Sequence, residues 1–155
     1  MKKLLGIVVL VLICCVNSYA ESNKIITANN CRSVTSFSWP INFATYGYTI
    51  NDIKIDIDKK IAKFQIYDFD ENNIIRNRIF EHTAEITYSN SAVVNFSHKE
   101  DNKIREIEFY ISDFMIQNKP LSPGTIIYKT KYHDISIICK KYNNKETKYA
   151  KYFKG

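Results

Sequence analysis

From Asp52 onward, apolar side chains recur at every second position, which marks strands with one buried face. Ile53, Ile55 and Ile57 alternate with Lys54 and Asp56, and Phe64 and Ile66 with Lys63 and Gln65. Ala84, Ile86 and Tyr88 repeat the pattern, as do Val94 with Phe96, Ile107 with Phe109 and Ile111, and Ile135 with Ile137 and Cys139. Polar turns at Asp58-Lys59-Lys60, Ser89-Asn90-Ser91 and Lys99-Glu100-Asp101-Asn102 separate these runs, and Pro120, Pro123 and Gly124 break the chain before Ile126 and Tyr128. Short polar connections between alternating segments predict antiparallel strands in sequential order. The richness in Ile, Tyr, Phe and Thr agrees, because branched and aromatic side chains suit a half-buried pleated surface. No stretch between Ile53 and Cys139 has a helical period. The expectation is an all-β domain, a single antiparallel meander of about seven to eight strands. It forms a small barrel or a sandwich, and the pattern does not choose between the two.

Upstream of Asp52 the alternation is weaker and aromatic residues gather. Trp39, the single tryptophan, stands near Phe37, Phe43, Tyr46 and Tyr48, and Pro40 confines any strand there to an edge or a break. Such a group plugs one end of a core or lines a contact surface. On the second reading Trp39, Phe37, Phe43 and Tyr46 are the candidate ligand or partner contacts.

The N-terminus follows a different rule. Lys2 and Lys3 precede an apolar run from Leu4 to Val16. That run falls short of the roughly 20 residues a bilayer span requires but suits the core of a signal peptide. Ser18-Tyr19-Ala20 places small residues where a signal peptidase reads them, which predicts cleavage between Ala20 and Glu21. Lipid attachment at Cys14 or Cys15 is disfavoured, because Ile13 or Cys14 would stand where a small residue is usual. The expected organisation is therefore a cleaved leader at 1–20, an all-β domain at 21–139 and a basic segment at 140–155, with no transmembrane segment after cleavage. The destination is periplasmic or extracellular.

Cleavage changes the cysteine count. Of the four cysteines, Cys14 and Cys15 leave with the leader, and Cys31 and Cys139 remain. An even pair in an oxidising compartment predicts one disulfide between them. Two lone cysteines lack the paired spacing of a zinc site, so no metal is expected.

Charge is unevenly placed. The full chain carries a formal +6. Yet Lys140–Gly155 holds Lys140, Lys141, Lys145, Lys148, Lys151 and Lys154 against the single acid Glu146. The chain from Glu21 to Cys139 is close to neutral, so the basic character belongs to the C-terminal segment. On a short helix, Tyr142, Tyr149 and Phe153 would share one side and most lysines the other. Lys145, Lys148, Lys151, Tyr152 and Lys154 are the candidate contacts for an anionic envelope surface; a solvated tail is the plainer reading. The segment has no arginine for paired contacts to base edges, so specific nucleic-acid binding is not expected.

The search for catalytic chemistry finds little. His82, His98 and His133 form no zinc-protease motif, and no glycine-flanked serine marks a nucleophile elbow. Asp68, Asp70 and Asn72 alternate like the start of a calcium loop. However, Asn73 stands where glycine is needed and Ile79 where a bidentate glutamate is needed. No catalytic residue and no cofactor are assigned. The expected function is a non-enzymatic binding role for an exported β-domain, inhibitor-like in kind, toward an unknown protein or small ligand. Attachment to the envelope through the basic segment is the alternative, and a small secreted hydrolase a more distant one.

Overall fold

The computed structural model describes residues 24–37, 40–69, 80–100, 102–116 and 119–153. The leader, Trp39, the residues from Asp70 to Ile79 and Lys154 lie outside them, so the readings that fell on those positions do as well. Eight long strands carry the fold: β1 Ile25–Val34, β2 Gly47–Asp56, β3 Ile61–Phe69, β4 Phe80–Ser89, β5 Val93–Glu100, β6 Lys103–Tyr110, β9 Thr125–Lys129 and β10 Asp134–Tyr142. Three short strands join them, with β7 Phe114–Ile116 and β8 Lys119–Leu121 forming a separate hairpin and β11 Lys145–Glu146 paired to β10. The long strands follow one another antiparallel in chain order, and β1 pairs back onto β10. The sheet is therefore a closed barrel, and closure leaves the main ladder without a free edge.

The alternating apolar positions point inward and fill it. Phe64, Phe96, Phe109 and Tyr128 are fully buried among Ile50, Ile53, Ile55, Ile107, Ile126 and Ile137. Ala28, Ala62 and Ala84 face the same core, and their small side chains leave room for the rings. Period two fails where β1 and β2 bulge side by side. Asn30 and Asp52 both have positive φ, at 53° and 50°, a region that Asn and Asp enter more readily than other side chains. Asn29 Nδ2 donates to Asp52 Oδ1 at 3.1 Å and the Asn30 amide to Asn51 Oδ1 at 3.1 Å, which ties the two bulges together. Each bulge bends its strand and supplies curvature for closure.

Cys31 and Cys139 stand opposite one another in the β1–β10 register, and a disulfide joins them. Both are fully buried. The bridge thus staples the pair of strands that closes the barrel.

The C-terminal segment holds one short helical turn, and it starts later than Tyr142. β10 continues to Tyr142, which pairs with Ala28, so Tyr142 is a strand residue. Asn143 and Asn144, both with positive φ, then reverse the chain in a two-residue turn, which leaves no path for a helix from Tyr142 to Phe153. Helix is confined to the 3-10 turn Ala150–Phe153. That turn lies on the outside of the barrel, where Tyr149, Phe153, Phe43, Phe37 and Ile41 pack on Val34 and Ile138. The Tyr149 hydroxyl sits 2.9 Å from the buried Thr125 Oγ1. Tyr149→Phe removes that bond and leaves Thr125 short of a partner. Its urea midpoint should fall by the equivalent of about 1 kcal/mol, and an unchanged midpoint would mean the contact is not formed in solution.

Candidate ligand-binding site at the open barrel end

The two ends of the barrel differ in chemistry. At one, Ile57, Ile111 and Tyr142 pack against the core, Tyr142 stacks on Phe109, and its hydroxyl donates to the Ile111 carbonyl at 3.3 Å. That end is an apolar plug. At the other, β1, β3, β5 and β9 finish and β2, β4, β6 and β10 begin, and the residues there are mostly polar.

A cavity of about 870 Å³ opens at this second end. Ser33, Thr35, Tyr48, Asp68, Arg105 and Thr130 line it, and Tyr46 and Tyr132 stand at its rim. The two rim tyrosines are 74% and 82% exposed, so their rings face solvent rather than core. Local bonding holds the rim in place. Ser33 Oγ donates to the Tyr48 carbonyl at 2.9 Å and accepts from the Tyr48 amide at 2.8 Å. Gly47 has φ +148°, and a Cβ there would lie 2.6 Å from that Oγ, so glycine is what allows this close approach. Across the mouth, Thr130 Oγ1 donates to the His133 carbonyl at 2.7 Å and accepts from the His133 amide at 3.2 Å, and Lys131 lies over the Tyr132 ring at 5.5 Å.

Beneath the cavity the rings form a stack. Tyr48 packs on Tyr128 with centroids 4.9 Å apart, Tyr128 lies 6.1 Å from His98, and His98 lies 4.6 Å from His82. Phe64 closes the other side of His98 at 5.2 Å. His98 is 5% exposed, and neither of its ring nitrogens has a hydrogen-bond partner. Its partner across the β5–β6 ladder is Arg105, which lines the cavity. Burial pushes the His98 imidazole down to about 4, and the neighbouring His82 and Arg105 add to the shift. His98 is therefore a neutral imidazole in the core behind the cavity wall, able to donate from one nitrogen and accept at the other.

Of the aromatic residues singled out in the sequence, Tyr46 and Tyr48 face this cavity, and Trp39 lies outside the described residues. Phe37 and Phe43 pack on the outside, where Phe43 meets Phe153 edge-on at 4.8 Å. Lys145, Lys148 and Lys151 are exposed, and Tyr152 packs in the outer cluster. The cysteine pair is joined. Sequence reasoning passed over Tyr132 and Arg105, and weighed His98 only as a catalytic group. For His98 a signal existed, because it continues the Val94–Phe96 alternation by one further step. Among the described residues, no three histidine, cysteine or acidic side chains gather as a metal site, and no helix is long and apolar enough to cross a membrane. Comparison with protein-family models, with curated proteins and with solved structures finds no match to this chain.

Proposed function

We propose that this chain is an exported, non-enzymatic binding protein that receives a small ligand in the open end of its barrel. The observation that carries this reading is the difference between the two ends. Among the described residues, one is sealed by Ile57, Ile111 and Tyr142, and the other opens into a cavity of about 870 Å³. That volume lies in the range of small-molecule sites. Exposed tyrosines at the rim and polar groups on the walls suit a ligand with both a flat apolar face and hydrogen-bonding groups. Export rests on the leader pattern of residues 1–20 and agrees with the Cys31–Cys139 bridge, since disulfides persist in oxidising compartments.

The test is a small-molecule screen of the exported protein read by amide chemical shifts. Saturable binders should perturb Tyr46, Tyr48, Thr130 and Tyr132, and Tyr132→Ala should weaken them about tenfold. Binders that leave the mouth unperturbed, or a screen without any binder, would count against the reading.

A further inference from the structure

The walls of the mouth narrow the class of ligand it can take. Tyr46 comes from the connection between β1 and β2, and Tyr132 from the turn between β9 and β10, so two separate loops each raise one ring at the opening. Neither ring belongs to a buried cluster, and both stay mostly exposed. They are platforms at an open rim rather than the two sides of a closed slot. A flat aromatic ligand gains most from an enclosed apolar slot, because its faces carry no hydrogen-bonding groups. A ligand that keeps much of its own hydration is better matched to a rim of this kind.

The polar groups of the wall point the same way. The hydroxyls of Ser33, Thr35 and Thr130 donate to the backbone and hold the rim. Thr45, Asp134 and Ser136 also line the cavity, and among the described residues no hydrogen bond engages their side chains. Asp68 and Asp134 stand against Arg105 and the nearby Lys131, so neither sign of charge dominates. A sugar ring has the complementary chemistry. The C–H bonds of its flat face are polarised by neighbouring oxygens and are drawn to the negative face of an aromatic ring. Its edge carries hydroxyls that both donate and accept, as free hydroxyl and carboxylate groups require. A disaccharide is also within the size that a cavity of about 870 Å³ admits.

We propose that the mouth binds a neutral glycan, with Tyr46 and Tyr132 as platforms for sugar rings and Thr45, Asp134 and Ser136 as partners for their hydroxyls. This rests on the reading of the mouth as a ligand site and names the class of its ligand. A neutral ligand brings no ion pair to screen, so its affinity should not change with ionic strength.

Four neutral disaccharides serve as probes: N,N′-diacetylchitobiose, cellobiose, maltose and lactose. Each is titrated into the full exported protein at low and at high salt, with the amides of Tyr46, Thr130 and Tyr132 followed by NMR. Digalacturonic acid is the anionic comparator, and indole and nicotinamide are the aromatic ones. At least one neutral disaccharide should give saturable shifts at these amides, equally at both salt concentrations. Tyr46→Ala and Tyr132→Ala should each weaken it about tenfold with the wild-type circular dichroism retained. Tyr132→Phe keeps the ring and should keep most of the affinity. If indole or nicotinamide binds at the mouth while no disaccharide does, the glycan assignment is wrong and the ligand site stands. Binding of digalacturonic acid alone, or disaccharide binding indifferent to both alanine variants, also overturns the assignment. Silence from every probe would count against the site itself.

Discussion

Replacing Cys31 and Cys139 together with alanine is expected to lower the unfolding free energy by about 4–5 kcal/mol. The two residues are 108 positions apart, so their bridge closes a loop that contains almost the whole domain. A cross-link of that span removes the most extended conformations from the unfolded chain, and the cost of closing the loop grows with its length. The folded side should change little. The cysteines face each other across β1 and β10, and the backbone ladder from Ala28–Tyr142 to Val34–Ser136 remains when the sulfurs go. The variant should therefore keep a β-sheet circular-dichroism spectrum at low temperature while its urea midpoint falls by about 2–4 M. Reduction of the wild-type protein should approach the same midpoint. A loss below about 1 kcal/mol would mean that the seam between first and last strands holds without its bridge, with the unfolded chain already compact.

The strands were legible in the sequence wherever one face is buried and period two runs undisturbed, although their closure into a barrel was not. Ile53 with Ile55, Phe64 with Ile66, Ala84 with Ile86 and Ile107 with Phe109 all fall in strands with their side chains inward, and Cys139 lies in the strand opposite Cys31. The pattern lost its force at the bulges. In β1, Ile26 and Ala28 point inward, but the extra residue at Asn30 shifts the inward set to Cys31, so no simple alternation marks the strand. β2 suffers the same slip at Asp52, which is why its first half reads as irregular and its second half as a strand. In the C-terminal segment the place of Tyr142 was illegible for a different reason. Aromatic residues spaced for a helix face also serve a strand, a turn and a single 3-10 turn when two asparagines reverse the chain between them.

The candidate site was less legible than the fold, because it is assembled across strands. The mouth draws Tyr46, Arg105 and Tyr132 from three separate segments, and no local spacing connects them. Closure of the sheet therefore positions the mouth, and the disulfide joins the two strands that close it.

Acid should destabilise this barrel through one residue. His98 is buried with its pKa lowered to about 4, whereas in the unfolded chain it titrates near its ordinary 6.5. Between those values the unfolded state binds a proton that the folded state refuses, so stability is complete above about pH 6.5 and declines as the pH falls toward 4. The full loss is about 3 kcal/mol, of which about 2 kcal/mol is reached by pH 5. His98→Leu removes the titrating group, and with it two buried nitrogens that have no partner. Leucine is also close to histidine in size, so the core around Phe64 and Tyr128 should accept it. The variant should match or exceed wild type at pH 8, and at pH 5 it should be the more stable by about 2 kcal/mol. Urea melts at both values check this. An undiminished pH dependence in His98→Leu would place the acid sensitivity elsewhere. If the proposed ligand reaches the imidazole, the same variant should gain stability while losing affinity, an opposition that a merely structural histidine would not produce.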